Sequence, residues 1–143
     1  YMSTLDQADV DVMLATKTCV AATRFQYDYL NDDITDFGTI DYNLTNKVPP
    51  GLRKAIAEGK KILVLINPPY AEAGNAHGND SKSDVAKTRI ANKAMSEYGK
   101  ASNELFTQFV ARIAQEMPKA VLAMFSKLKY VTAPNFEKFR MYW

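Results

Sequence analysis

The feature that most restricts the fold is a short aliphatic run that ends at two prolines. Residues 62–66 are apolar on both faces and rich in β-branched side chains. This pattern is typical of a central strand in a parallel sheet that helices cover on both sides. The strand must stop at Asn67, Pro68, Pro69 and Tyr70, because proline cannot continue the hydrogen-bond ladder. The sequence thus predicts a polar motif directly at the end of a strand.

Other segments alternate between helical and strand patterns. The spacing of apolar residues predicts helices over 6–18, 52–59, 84–98 and 105–117 and after Pro134, and strands within 21–30 and 120–125. Such alternation indicates an α/β fold with a mostly parallel sheet. Ligands of these sheets bind at the carboxyl ends of strands. Asp28 and Asn67 are both predicted to lie at such ends.

Composition narrows the classes of protein and site. The 143 residues suit one domain, and no apolar run approaches the roughly 20 residues of a membrane span. No segment has the layout of a signal peptide, and the single cysteine, Cys19, fits a reducing compartment. We therefore expect a cytoplasmic protein that does not enter the membrane. The single histidine, His77, has no cysteine or second histidine near it, so no metal site is expected.

Charge is distributed unevenly along the chain. Residues 1–50 hold eight acids and three bases, a net charge of −5, whereas residues 51–143 hold eight acids and fifteen bases, a net charge of +7. A basic C-terminal part can face phosphates. On charge alone, solvated helix faces are the simpler interpretation.

The motif at the end of the apolar strand has a specific chemical capacity. The side-chain carbonyl of Asn67 and the backbone carbonyl of Pro68 are two hydrogen-bond acceptors, and the prolines stiffen the turn that presents them. Tyr70 offers a flat face for a stacked base, worth roughly 1–3 kcal/mol. Two acceptors beside a stacking ring suit the exocyclic amino group of a planar base. Accepting both amino hydrogens would localise the nitrogen lone pair and make the nitrogen a better nucleophile.

With these residues the chain resembles the class I S-adenosylmethionine-dependent amino-methyltransferases, above all the adenine-specific DNA methyltransferases of restriction–modification systems. The apolar strand with Asn67, Pro68, Pro69 and Tyr70 is similar to their target-base motif, which implies that these four residues are catalytic. Segments 102–113, 120–129 and 134–140 resemble the helix, strand and helix that follow. The resemblance covers nearly the whole chain and implies a Rossmann-like methyltransferase fold.

The resemblance also implies a cofactor, S-adenosylmethionine. Asp28 and Tyr29 correspond to the strand end where an acid binds the adenine part of the cofactor. Thr4 lies near the position that contacts the ribose, although the family usually has an acid there. The family's glycine-rich cofactor loop would lie before Tyr1, since no Gly-x-Gly occurs in the chain.

The resemblance therefore implies a partial catalytic domain over residues 1–143, which lacks the first strand, its glycine-rich loop and the last strands. We expect the chain alone to be inactive and to bind the cofactor weakly. In the implied fold the missing strand lies between the second and fourth strands. Either a second copy of the chain fills this gap, giving a homodimer, or those two strands close up against each other.

The implied function is methyl transfer to a flipped-out adenine of double-stranded DNA, with a restriction–modification subunit as a further candidate partner. Two alternatives stay open. The same motif occurs in enzymes that methylate a glutamine of release factors or a guanine of ribosomal RNA. The lysine and arginine side chains between Lys82 and Lys100 favour a nucleic acid over a glutamine side chain as the substrate. The second alternative is a non-catalytic module that binds DNA or a partner subunit.

Overall fold

Short strands alternate with helices along the chain. The structure is a computed structural model that describes residues 1–69 and 88–142. In chain order, its elements are β1 (Met2–Thr4), α1 (Gln7–Ala15), β2 (Arg24–Gln26), α2 (Pro50–Ala57), β3 (Leu63–Ile66), α3 (Arg89–Ala94), a 3-10 helix (Ser96–Asn103), α4 (Leu105–Glu116), β4 (Val121–Met124), α5 (Lys129–Thr132), a second 3-10 helix (Pro134–Phe136) and α6 (Glu137–Tyr142). The predicted mixture of helices and short parallel strands is confirmed. Predictions for Tyr70, His77, Lys82 and the start of the helix over 84–98 lie outside the described residues.

The strands form two separate parallel pairs. β1 pairs with β2, from Met2 opposite Arg24 to Thr4 opposite Gln26. β3 pairs with β4. Across residues 1–69 and 88–142 no hydrogen-bonded ladder joins these two sheets. β1 and β3 stand where the implied fold has its second and fourth strands. The arrangement in which these two strands close up against each other is therefore not found in this part of the chain.

One face of the β3–β4 sheet is covered and the other is open. Leu122 and Met124 of β4 pack against a buried cluster that contains Phe106 of α4. On the opposite face, Leu63 and Leu65 are 68% and 70% exposed. The prediction that helices cover both faces of this strand is wrong for the described residues. Helix α4 covers only one face of the sheet, and the alternate side chains of β3 therefore face outward.

Helix α4 is the central packing element. Residues on several of its sides are buried, and two separate hydrophobic clusters include it. One cluster holds Ala111 together with Ile34 and Ile90, and the other holds Phe106 and Val110. α4 ends at Glu116, ahead of Pro118, whose ring and missing N–H are incompatible with a helix interior. The prediction of an apolar helix over 105–117 is confirmed.

The strand predicted within 21–30, with its end near Asp28, is present as β2 and ends two residues earlier. β2 ends at Gln26, which is paired to the last residue of β1, and the N–H of Tyr27 donates a final bond to Thr4 at 2.8 Å. Beyond this point the chain turns, because the carboxylate of Asp28 accepts a bond from the N–H of Leu30.

None of the helices in the described ranges is long and apolar enough to cross a membrane.

Candidate active site

The Asn-Pro-Pro motif lies at the carboxyl end of β3, as predicted. Asn67 directly follows Ile66, the last strand residue, and is exposed, whereas Pro68 is fully buried. Pro69 is exposed, and Tyr70 lies outside the described residues. A buried proline between two exposed neighbours restrains the turn, because its φ is fixed and its ring is packed. Asn67 is therefore presented to solvent from a restrained backbone.

The neighbouring strand fixes the start of the motif. Ile66 is paired with Met124 of β4, and the N–H of Phe125 donates to the carbonyl oxygen of Ile66 at 3.1 Å. Because the strands are parallel, the segment that follows β4 leaves the sheet at the same edge as Asn67. The exposed Lys127 lies in that segment. A positive charge thus follows the strand next to the motif.

The chemical capacity of this turn is that of an acceptor. Asn67 brings an amide oxygen with two lone pairs, and every proline keeps its backbone carbonyl as an acceptor. Neither group changes protonation near neutral pH, so the turn can orient an amino group but cannot serve as a general base. This capacity fits a reaction in which a positioned amino nitrogen is itself the nucleophile.

Asp28 lies two residues beyond the end of β2, and its carboxylate organises its own loop. Oδ1 accepts a bond from the N–H of Leu30 at 3.1 Å, and Oδ2 accepts one from Nδ2 of Asn31 at 2.8 Å. The N–H of Asp28 donates to Oδ2 of Asp32 at 2.9 Å. An ionised carboxylate offers about four acceptor positions. Asp28 can therefore hold the loop and still accept a bond from a ligand.

Tyr29 uses its side chain for packing. Its ring stacks on Phe109 of α4 with the centroids 5.8 Å apart and the ring planes 9° apart. Its hydroxyl donates to Oε2 of Glu116. The predicted contact of Tyr29 with a cofactor would therefore come from its backbone rather than from its hydroxyl.

Thr4 is the last residue of β1 and lies at the same sheet edge as Asp28. Its hydroxyl donates to the carbonyl oxygen of Asp6 at 2.9 Å, within the turn that leads into α1. Thr4 is half-buried and is paired with Gln26, two residues before Asp28. The structure thus brings Thr4 and Asp28, two of the three predicted cofactor residues, to one edge, that of the β1–β2 sheet. Asn67 lies at the equivalent edge of the other sheet.

Helix α4 connects these two edges. Phe106 and Val110 pack with Leu122 and Met124 of β4, the partner strand of β3. Further along the helix, Arg112 donates to the carbonyl oxygens of the loop that follows β2. The positions of the Asn67 turn and of the Asp28 loop are therefore both set by packing on one helix.

Arg112 is the residue at this site that the sequence analysis did not identify. Its side chain is fully buried, and Nη1 donates to the carbonyl oxygens of Tyr29 and Asp32, the latter at 2.8 Å. Nη2 donates to the hydroxyl of Tyr27 at 2.5 Å, and Nε lies 3.5 Å from Oε2 of Glu116. The sequence signal was an arginine and a glutamate four residues apart inside an apolar helix, a spacing that allows an ion pair.

Burial gives this network unusual proton affinities. Desolvation, reinforced by the negative charge of Glu116, raises the pKa of the Tyr29 hydroxyl well above its usual value. The same two causes raise the pKa of Tyr42, whose hydroxyl also donates to Glu116. Burial acts to lower the pKa of Arg112, but Glu116 and the tyrosine hydroxyls outweigh it and the net shift is upward. At neutral pH the network thus holds neutral tyrosines around one buried ion pair.

No group of three histidine, cysteine, aspartate or glutamate side chains suited to a metal ion occurs among residues 1–69 and 88–142.

Comparison of the chain with models of protein families, with curated proteins and with solved structures finds no match. The residues and their geometry are therefore the basis for a functional proposal.

Proposed function

We propose that the chain is part of the catalytic domain of an adenine-specific DNA methyltransferase that uses S-adenosylmethionine. The proposal includes a Rossmann-like sheet to which both strand pairs belong. It places double-stranded DNA at the edge where Asn67 lies. It also assigns the protein to the cytoplasm and to a restriction–modification system.

The observation that carries the proposal is the placement of Asn67. An exposed amide follows an apolar parallel strand and is backed by the fully buried Pro68. An asparagine at such an edge can meet a ligand without a change in the backbone. In an ordinary solvated Pro-Pro turn, both prolines would be exposed, whereas Pro68 is buried here.

The candidate cofactor site supports the same proposal. Asp28 and Thr4 lie at one carboxyl edge, where α/β sheets bind nucleotides. The carboxylate of Asp28 keeps acceptor capacity beyond its two loop bonds, which suits the amino group of an adenine ring. When bound, S-adenosylmethionine supplies a methyl group on a sulfonium that nucleophiles attack. The acceptor that the loop offers thus fits the amino group in the adenosine part of this cofactor.

The residues of the chain would act on the target base by orientation. Flipping an adenine out of the duplex costs a few kcal/mol, which the ring of Tyr70 would offset by stacking. Asn67 and the carbonyl of Pro68 would accept the two amino hydrogens. The amino nitrogen held by these acceptors would take the methyl group; the electron pair of the broken carbon–sulfur bond would stay on sulfur, and one amino proton would leave to solvent. Alignment of the reacting atoms supplies most of the rate under this account.

The identity of the methylated product tests the proposal. The natural full-length protein that contains these residues is incubated with radiolabelled S-adenosylmethionine and either unmethylated double-stranded DNA, ribosomal RNA or a glutamine-containing release-factor domain. We expect label in DNA, recovered as N6-methyladenine after digestion to nucleosides. Label in RNA guanine or in the protein substrate would contradict the proposed substrate. Binding of DNA without transfer to any substrate would favour a non-catalytic module.

A further inference from the structure

The loop that carries Asp28 is held by a side chain from a distant part of the chain. Arg112 of α4 contacts residues on both sides of Asp28. Its guanidinium carbon lies 5.2 Å from the ring centroid of Tyr27 and 4.4 Å from that of Tyr29. Its Nη1 also donates to the carbonyl oxygens of Tyr29 and Asp32. With the bond from Nη2 to the Tyr27 hydroxyl, five of its contacts therefore fall on a loop of six residues, 27–32.

A single arginine can make these contacts because its guanidinium is a rigid planar fork with five N–H donors. One edge of the fork meets backbone oxygens of the loop, and the other meets the hydroxyl of Tyr27, which itself donates to Asp33 at 3.0 Å. Lysine has one point charge on a flexible stem, so it cannot reproduce this set of bonds.

The ion pair that compensates the charge of Arg112 is also buried. Glu116 lies one turn later on α4 with its side chain 4% exposed, and it accepts bonds from the hydroxyls of Tyr29 and Tyr42. Tyr42 belongs to a different segment, and its bond ties that segment to the same carboxylate. The loop is therefore clamped between two charged residues of one helix turn.

We infer that Arg112 is a positioning residue for the Asp28 loop, and that it sets the affinity for the adenine part of the cofactor by holding the Asp28 carboxylate in place. The inference rests on the proposed role of Asp28 in cofactor binding. It assigns to α4 a second task besides core packing. Arg112 acts through the backbone around Asp28 rather than by contact with the cofactor.

The first test is a double-mutant cycle in the natural full-length protein, with S-adenosylmethionine affinity measured by calorimetry. Arg112→Lys should weaken binding by roughly tenfold or more, while methyl transfer at saturating cofactor stays within about twofold. In an Asp28→Ala background the same change should have little further effect, because the two residues act as one unit. An equal loss in both backgrounds, or no loss in either, would overturn the inference.

Phe136→Leu is the matched control. Phe136 is fully buried in the cluster on the other side of α4, so its shortening lowers stability without touching the Asp28 loop. Cofactor affinity should stay within about twofold of the wild type in this variant, which separates a positioning effect from a general loss of stability. A weakening of binding equal to that of Arg112→Lys would mean that stability alone explains both.

Hydrogen exchange of the 143-residue chain separates this inference from the proposed function. The N–H groups of Asp28 and Leu30 donate bonds within the loop. Arg112→Lys should speed their exchange while amides of α1 stay protected. If the wild-type protein binds no S-adenosylmethionine, the proposed function fails but this measurement still decides the positioning role. Unchanged exchange in the loop would overturn it.

A second variant covers the case in which Arg112→Lys does not fold. Tyr27→Phe removes only the hydroxyl that links Arg112 to Asp33. It should speed loop exchange and weaken cofactor binding in the same direction, by a smaller factor. Wild-type exchange and affinity in this variant would contradict the positioning of the Asp28 loop by Arg112.

Discussion

Leu63 and Val121 are directly paired across β3 and β4, and the two residues are 68% and 64% exposed on the same face of the sheet. A paired parallel strand with an apolar face in water is unusual, because parallel sheets are normally covered on both faces. Leu65, which is 70% exposed, extends this face.

The first prediction concerns self-association of the 143-residue chain. An open apolar sheet face, beside a strand edge that has no partner among residues 1–69 and 88–142, promotes association between copies. Leu65→Lys should therefore raise the concentration at which the chain associates by roughly tenfold, as measured by sedimentation. Leu44→Lys is the control, since Leu44 is 56% exposed on a loop outside the sheet. Equal association of both variants would show that the sheet face is not the contact.

The buried ion pair gives a prediction for stability. Arg112→Ala leaves the carboxylate of Glu116 buried without its partner, and breaking such a pair costs roughly 3–5 kcal/mol. The free energy of unfolding in urea should fall by that amount. Lys54→Ala is the comparison, because Lys54 pairs with Glu58 at the surface with both side chains exposed, where a pair is worth about 0.3–0.5 kcal/mol. Similar losses in the two variants would contradict the buried network.

The raised pKa values of Tyr27, Tyr29 and Tyr42 predict a loss of stability in alkali. Each pKa is higher in the folded chain than in the unfolded chain, where tyrosine titrates near pH 10. The stabilisation is thus complete below about pH 10 and declines at higher pH, as the unfolded chain ionises first. The free energy of unfolding should fall above this pH, and less steeply in Tyr42→Phe. A flat profile to about pH 11 would contradict these shifts.

The sequence was sufficient to predict the elements that depend on local patterns. The aliphatic run before Pro68 predicts a strand, and the apolar spacing after Glu104 predicts a long helix; both are present. The alternation of Phe25, Tyr27 and Tyr29 predicted a short strand that ends near Asp28. The strand is present and ends two residues earlier, at Gln26, because its length is set by its partner and β1 ends opposite Gln26.

Tertiary relationships could not be predicted from these patterns. A five-residue aliphatic run is the same whether one face or two are covered, so the exposure of Leu65 depends on what packs there. Arg112 lies within an apolar helix, and the carbonyl oxygens that it contacts lie about eighty residues earlier in the chain, so no local pattern indicates the contact. Only the spacing of Arg112 and Glu116 on one helix face was visible in the sequence.

Asp28 yields a prediction for cofactor affinity. In the natural full-length protein, Asp28→Ala should weaken S-adenosylmethionine binding by roughly ten- to a hundredfold, since a charged hydrogen bond is worth about 1.5–3 kcal/mol. Asp41→Ala is a matched control, because the Asp41 carboxylate caps its own loop through the N–H of Asn43. Unchanged affinity by calorimetry in Asp28→Ala would leave Asp28 with its loop role alone.

Asn67→Ala in the natural full-length protein tests whether the amide of Asn67 orients the target base, with methyl transfer to DNA and cofactor affinity measured in parallel. Removal of the amide acceptor should lower turnover by at least about a hundredfold, while S-adenosylmethionine affinity stays within about twofold. Asn103→Ala, at an exposed asparagine just before α4, should leave both quantities near their wild-type values. Wild-type turnover in Asn67→Ala would remove this residue from the mechanism and contradict the proposed function.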